Sequence, residues 1–269
     1  MQELIKIGDT MLRDIYGEPE FISGLGNVYP VNNLQFEIFS LYSFLLKFSK
    51  SHTDKCNIEK INTFDAVLFG RIKEFGEMEN IKKTFKKMSD MEEIKFKIDC
   101  FKEMLKIVLK TNKVEFISNK KESFFCIGEK EDRYLGSFNY DVFRKVVMRQ
   151  NIIIEEKIYK DKILEKLIHL RKKKDRKNAP NISLESMVNS ISVLTGKSYE
   201  DLKKYSYYQI VMDFQRISKE KEQEFNILKQ QEGSISLVGF AEDIDLYINK
   251  DESYKKKLSE LKGIKDAIS

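Results

Sequence analysis

The sequence has 269 residues, of which 41% are hydrophobic and 34% are charged, and its net charge is +5 from 48 basic and 43 acidic side chains. This length permits one large domain or two smaller ones, and the mixed charge is not the footprint of a dedicated nucleic-acid-binding domain. No apolar run approaches the ~18–20 residues of a membrane span, so we expect a soluble protein that has no contact with a membrane.

Helical periodicity dominates the first half of the chain. The apolar spacing over 3–16 predicts a helix that Gly17 ends, and 24–31 is predicted to be a turn followed by a short extended piece. Asn33 is the predicted N-cap of a second helix, which runs to residue 50. One face of this helix carries the large apolar side chains Leu34, Ile38, Leu41, Leu45 and Phe48.

Two further helices have recognisable starts. Asn62 or Thr63 is placed to begin the third helix, and Ser89 with Glu92 has the spacing of a capping box for the fourth. The pattern then changes, because 114–117 and 123–127 are rich in β-forming residues around a polar connection. These two runs predict an antiparallel β-hairpin, which a third strand or a packed helix must cover because a lone hairpin is only marginally stable.

The segment at 178–181 is the best candidate for a domain boundary, because an amphipathic helix before it ends in a charged run and a proline follows. Asn139 is the predicted cap of a helix over 140–151, upstream of that boundary. Downstream of it, the sequence predicts helices over 183–195, 199–204, 206–230, 239–249 and 253–267. We therefore predict a mainly α, multi-helix protein with one small antiparallel β-hairpin near residues 113–136, divided into an N-terminal region 1–178 and a C-terminal helical module 179–269.

Gly196-Lys197-Ser198 resembles the end of a phosphate-binding loop. Such a loop needs another glycine five residues before the first of these residues, and Ile191 occupies that place. The sequence instead predicts that Gly196 ends one helix and that Ser198 caps the next, with Asp201 in its first turn. This motif therefore predicts a helical corner.

No catalytic or metal-binding pattern is visible. Neither His52 nor His169 has an acidic or thiol partner at ligand spacing, and Cys56, Cys100 and Cys126 fit no metal spacing, so buried free thiols in a reducing cytoplasm are expected. A nucleophile assembled from one of these distant residues stays open at this point. The acidic residues Glu242, Asp243 and Asp245 are interpreted as the outer face of an amphipathic helix, because an EF-hand would need a glycine and a terminal glutamate that are absent. We expect no enzyme activity and no cofactor.

A basic run ends the helix before the predicted boundary. Its six cations are Arg171, Lys172, Lys173, Lys174, Arg176 and Lys177. They could contact phosphates of a nucleic acid, or they could simply oppose the negative end of the helix dipole. No aromatic side chains interleave with them, as a single-strand-binding surface would require.

Aromatic side chains concentrate between residues 199 and 214. Most of them are expected in the core, but tyrosine and phenylalanine also anchor protein interfaces. Tyr205, Tyr208 and Phe214 are our candidate partner contacts, provided that they face solvent.

Several segments resemble proteins encoded among the tail genes of bacteriophages of Gram-positive hosts. The segments that carry this resemblance are Ser183-Leu184-Glu185-Ser186-Met187, Phe240-Ala241-Glu242-Asp243-Ile244-Asp245-Leu246, Asn139-Tyr140-Asp141-Val142-Phe143-Arg144, Arg149-Gln150-Asn151-Ile152-Ile153 and Gly26-Asn27-Val28-Tyr29-Pro30-Val31. The family comprises tail assembly chaperones and tail morphogenesis proteins, which are mainly helical and non-enzymatic. The resemblance implies binding to tape-measure or tail-tube proteins, possible self-association, and residence in the host bacterial cytoplasm or the virion tail. The alternative from the residues alone is a nucleic-acid-binding regulator that uses the basic run 171–177.

Overall fold

The computed structural model describes residues 12–230 except 54–60, 74, 76–77, 120–121, 130–131, 156, 158, 160 and 179–181. The protein is mainly α-helical, as predicted. The α-helices are α1 (Asn33–Ser43), α2 (Thr63–Phe69), α3 (Glu79–Phe85), α4 (Asp90–Leu109), α5 (Tyr140–Gln150), α6 (Lys162–Asn178), α7 (Leu184–Thr195), α8 (Tyr199–Leu202) and α9 (Tyr207–Gln230). Residues 12–16 are also helical and end at Gly17, where φ is 69°.

The strands form two small antiparallel sheets, which are β1 (Glu20–Ile22) with β2 (Gly26–Val28), and β3 (Val114–Ser118), β4 (Ser123–Ile127) and β5 (Arg133–Gly136) in that order. The predicted hairpin is thus confirmed as β3 and β4, and β5 supplies the third strand that covers it. The prediction of a single β element was wrong. Strands of only three residues, such as β1 and β2, are too short for a two-residue period to stand out in the sequence.

The main core surrounds α4, which the predicted capping box of Ser89 and Glu92 opens. Aromatic rings fill its centre: Phe64 of α2 packs against Phe125 of β4 and Tyr140 of α5 with ring centroids 6.0 and 5.3 Å apart. Helices from distant parts of the sequence therefore share one continuous core with the three-stranded sheet.

α4 also buries an ion pair that was not predicted from the sequence. The Nζ atom of Lys97 lies 2.7 Å from a carboxylate oxygen of Glu93 and donates a hydrogen bond to the carbonyl of Gly70 at 2.7 Å. The same Glu93 oxygen accepts the N–H of Ile72 at 3.2 Å. Both side chains are almost completely buried, and this burial lowers the pKa of Lys97, while the charge and hydrogen bond of Glu93 act against that shift.

The helix predicted over 33–50 differs from the structure in cap, length and orientation. Asn32, and not Asn33, caps α1 by accepting the N–H of Leu34 at 2.9 Å. The α-helix ends at Ser43, and tighter 3₁₀ turns follow over Phe44–Lys47 and Lys50–His52. Because a 3₁₀ turn has 3.0 residues per turn instead of 3.6, the apolar stripe does not continue along one face. Leu45 and Phe48 are buried, whereas the three earlier members of the predicted face are exposed.

The C-terminal helices α7 to α9 form a second, smaller core. Its buried members are Ile191, Leu202 and Ile210. Gly196 ends α7 with φ of 72°, and Ser198 caps α8 by accepting the N–H of Asp201, as predicted. The helices predicted over 239–249 and 253–267 lie outside the described residues.

Candidate partner-docking surfaces

The three aromatic residues predicted as partner contacts have different environments. Tyr208 is only 2% exposed, while Tyr205 and Phe214 are partly buried against the core of the C-terminal helices. Lys197 lies over the Tyr205 ring, 4.9 Å from its centroid, and forms an ion pair with Asp213 at 2.9 Å. This lysine therefore contacts other residues of the C-terminal helices. None of the three aromatic side chains is fully solvent-facing, and whether Tyr205, Tyr208 or Phe214 contacts a partner stays a prediction.

A polar seam joins the C-terminal helices to the start of α1. The side-chain amide of Asn33 donates to the carbonyl oxygens of Leu202 and Tyr205 at 2.6 and 3.1 Å, and the backbone N–H of Tyr207 donates to Val31 at 2.9 Å. The ring of Tyr207 stacks on Phe36 with centroids 3.4 Å apart and planes at 6°. The two parts of the chain are therefore held together through specific main-chain acceptors.

Gln209 extends this seam to the N-terminal helical residues. Its side-chain oxygen accepts the N–H of Ser206 at 2.8 Å, and its amide donates to the carbonyl of Ile15 at 2.8 Å. Ser206 in turn accepts the N–H of Gln209 at 3.2 Å, so Ser206 caps α9. One side chain thus both caps a helix and fixes the N-terminal segment.

Arg149 holds two carboxylates together beside this seam. Its guanidinium donates to Asp14 at 2.7 Å and also pairs with Glu20. Burial raises the pKa of Asp14, although the hydrogen bond and charge of Arg149 act to lower it. Burial also raises the pKa of Tyr208, and the negative charge of Asp14 adds to that shift.

Arg149→Gln should make the stability of the protein more dependent on pH. Without the guanidinium, the pKa of Asp14 should rise further above its usual value of 3.8. A carboxyl whose pKa is raised in the folded state stabilises the fold below its unfolded pKa, and this contribution is lost as pH rises through the folded pKa. Each unit of added shift corresponds to about 1.4 kcal/mol, so the deficit of the variant should grow as pH rises from about 4 to 7.

The measurement is the free energy of unfolding against pH for the parent and the variant. Arg13→Gln serves as the control, because Arg13 is exposed and directly precedes Asp14 in the sequence. A deficit that stays constant over this pH range would contradict the proposed coupling between Arg149 and Asp14.

The histidines and cysteines considered for catalysis or metal binding include three buried side chains, those of His52, Cys100 and Cys126. His52 is buried and its Nδ1 atom accepts the N–H of Ser49 at 3.0 Å. Burial raises the pKa of Cys100 to about 12, which keeps this thiol protonated at neutral pH. Cys126 is also buried, His169 lies on α6, and Cys56 and the acids at 242–245 fall outside the described residues. Within the part of the chain that the structure describes, no group of three or more His, Cys, Asp and Glu side chains could hold a metal ion.

The predicted basic run lies on the last turns of α6. Arg171 and Lys174 are exposed, and Arg171 forms an ion pair with Asp175 at 3.4 Å. Cations at the C-terminal end of a helix interact favourably with the negative end of its dipole, which gives the run a structural role whether or not it binds phosphate.

No described helix is both long and apolar enough to cross a membrane.

The surface with the clearest capacity for binding is on α1. Leu34, Ile38 and Leu41, which we call the α1 stripe, are 65%, 54% and 68% exposed. They follow each other at steps of four and three residues and so line one side of the helix, while Phe39 on the other side is completely buried. Large apolar side chains in such a row are typical of a helix that packs against a second helix.

The predicted apolar face joined these three residues to Leu45 and Phe48, which lie in the core. The seam was not predicted, because the hydrogen bonds of Asn33 with Leu202 and Tyr205 join distant parts of the sequence and leave no local signal. The only available signal was the consecutive pair Asn32 and Asn33, because one asparagine is enough to cap the helix.

Residues 172–245 match the family model described as YomV second domain. The match begins within α6, covers α7 to α9, and extends beyond the last described residue. It suggests a phage-type protein and does not identify a tail assembly chaperone. No curated protein matches the chain, and no solved structure does.

Proposed function

We propose that this protein is a non-enzymatic bacteriophage tail assembly factor, or a tail structural subunit, that acts by binding a tape-measure or tail-tube protein. It would act in the cytoplasm of the bacterial host and, as a subunit, in the virion tail. The family match over 172–245 and the resemblance of several segments to tail-gene products both support a phage role. The observation that carries the binding role is the α1 stripe.

The stripe has the dimensions of a helix-docking site. Its three side chains span about two helical turns and have the four-and-three spacing of a heptad seam, so a partner helix could place its own apolar residues between them. Each of these side chains already leaves most of its surface in water, at a cost of about 25 cal/mol for each Å² of apolar area. A partner that covers the stripe recovers this free energy without any rearrangement of the core.

The stripe also begins where the seam fixes the C-terminal helices. Asn32, which caps α1, donates to the carbonyl of Lys203 at 2.6 Å, two residues before Leu34. Phe36, one turn along the helix, stacks on Tyr207. The position of the α1 stripe relative to the C-terminal helices is therefore fixed, and a partner could contact both.

The triple change Leu34→Gln, Ile38→Gln and Leu41→Gln should weaken capture of the tail protein. Residues that dominate an interface contribute about 1–3 kcal/mol each, so we expect a loss of at least about 100-fold in affinity. Glutamine keeps the helix propensity close to that of leucine, and the positions are mostly exposed, so the melting temperature should change little. The measurement is the affinity of the purified full-length chain for tape-measure and tail-tube proteins of the same phage.

Met91→Gln is the matched control, because Met91 is 76% exposed on another helix, α4. Unchanged capture by the triple variant would overturn the assignment of the α1 stripe. If the triple change instead converts a dimer of the chain into a monomer and leaves capture intact, the stripe serves self-association and not tail-protein binding.

A second proposal, of a different class, is a nucleic-acid-binding regulator that uses the basic run. The exposure of Arg171 and Lys174 on α6 favours it. It predicts binding to DNA or RNA that weakens steeply with salt, and a smaller salt slope after Arg171→Gln and Lys174→Gln, because fewer counterions are released. Fluorescence anisotropy with labelled duplex and single strands measures this, and undetectable binding at ~50 mM salt would reject it.

A further inference from the structure

The outward side of α6 combines apolar and cationic residues on one face. Ile163, Leu167 and Leu170 are 74%, 42% and 53% exposed and follow each other at steps of four and three residues. The next position of the same row is Lys174, which is also exposed. We call these four residues the α6 face.

One side chain on the opposite side of α6 is buried. Ile168, which points away from the α6 face by helical geometry, is only 2% exposed. A helix that has apolar residues on both sides is expected to lie between two packing partners. One of these partners is this chain itself, and the structure shows the other side open among the described residues.

The charges beside the α6 face define the chemistry of what can cover it. Lys166 and Arg171 lie on the two flanks of the row, where the e and g positions of a heptad helix would be, and both are exposed. Cations at these positions select a partner with carboxylates at the facing positions. The ion pair of Arg171 with Asp175 is about half exposed on each side, so it is weak and can be exchanged for a carboxylate of a partner.

We propose that the α6 face binds an acidic amphipathic helix of a partner protein. This helix would place aliphatic residues between Ile163, Leu167 and Leu170 and carboxylates against Lys166, Arg171 and Lys174. A nucleic acid would use the cations but would leave the three aliphatic side chains in water, whereas an acidic helix covers both. The site is distinct from the α1 stripe, so this inference goes beyond the proposed function and does not depend on it.

A pair of synthetic helical peptides tests the proposal. Both carry leucine at the a and d positions; one has glutamate at e and g and the other has lysine there. Fluorescence anisotropy with the full-length protein should detect the glutamate peptide and not the lysine peptide. Leu167→Gln with Leu170→Gln should weaken this binding by about tenfold or more. Arg171→Glu with Lys174→Glu should abolish binding of the glutamate peptide and create binding of the lysine peptide.

Two variants serve as controls. Met91→Gln should bind the glutamate peptide like the parent, and the triple α1 variant should also bind it normally while losing the tail protein. Loss of peptide binding in the α1 variant would mean that both sites are one surface, which would overturn the separate assignment of the α6 face. Circular dichroism of each variant shows whether it is folded.

Three further results would overturn the proposal. The first is the absence of glutamate-peptide binding by the parent chain. If binding appears only after Glu242, Asp243 and Asp245 are changed to lysine, the α6 face is assigned to this chain's own acidic segment. The second is peptide binding that survives both sets of α6 changes. The third is binding of duplex DNA or anionic phospholipid vesicles that depends on Arg171 and Lys174 while the glutamate peptide does not bind.

Discussion

Lys97→Met is expected to lower the free energy of unfolding by about 3–5 kcal/mol, the largest stability effect that we predict for a single substitution. The change leaves the carboxylate of Glu93 buried without the ammonium 2.7 Å away. Only the N–H of Ile72 would remain as a partner for that charge, and the carbonyl of Gly70 would lose its donor. Methionine fills a similar volume, so the loss would report on the charge and not on a cavity.

Chemical denaturation of the full-length chain, followed by far-ultraviolet circular dichroism because the sequence has no tryptophan, measures this effect. The double variant Glu93→Gln with Lys97→Met should be more stable than Lys97→Met alone, because it removes the isolated charge and keeps an acceptor for Ile72. Lys95→Met, at an exposed position of the same helix, is the control. If the single and double variants are equally destabilised, the cost is one of packing and our electrostatic interpretation is wrong.

Asn33→Ala should release the C-terminal helices from the start of α1. The carbonyl of Leu202 would lose the side-chain donor that lies 2.6 Å away and keep the N–H of Tyr205 at 3.1 Å. The carbonyl of Tyr205 would lose one of its two donors from Asn33. Both acceptors keep a backbone donor, so each lost hydrogen bond should cost about 0.5–1.5 kcal/mol. Adding Tyr207→Ala removes the stack on Phe36 as well, and we expect the two changes together to exceed either one alone.

Hydrogen exchange at the amides of Asn33 and Tyr207 measures this effect most directly, because both amides donate across the seam. Exchange at these amides should accelerate by about tenfold or more in Asn33→Ala, while amides within α4 keep their protection. Gln35→Ala is the control, because Gln35 is exposed two residues further along α1. Equal protection in parent and variant would show that the seam does not depend on the Asn33 side chain.

Local signals allowed much of the helical architecture to be predicted. The capping box at Ser89, the left-handed Gly196 and the cap at Ser198 each depend on a few neighbouring residues, and each is present in the structure. The start of α1 was missed by one residue because Asn32 and Asn33 are chemically equivalent as caps. Both side chains also donate to distant carbonyls across the seam, Asn32 to Lys203 and Asn33 to Leu202 and Tyr205, and no local pattern indicates this.

The orientation of an apolar face was harder to predict than its existence. The spacing of Leu34, Ile38 and Leu41 indicates an amphipathic helix, but periodicity cannot tell whether such a face meets this chain or another one. Glu93 and Lys97 have the spacing of an ordinary surface pair and gave no sign that they are buried. Asp14 and Arg149 are 135 residues apart, so no local pattern could bring them together.

The α1 stripe is the centre of the functional account, and photo-crosslinking from it in infected cells tests that account most directly. A photo-reactive amino acid in place of Ile38 should form a covalent adduct with a tape-measure or tail-tube protein, which mass spectrometry of the adduct identifies. The same amino acid at Met91, an exposed position on α4, should not form this adduct. The absence of any tail protein among the adducts from position 38, or the same adducts from both positions, would contradict the account.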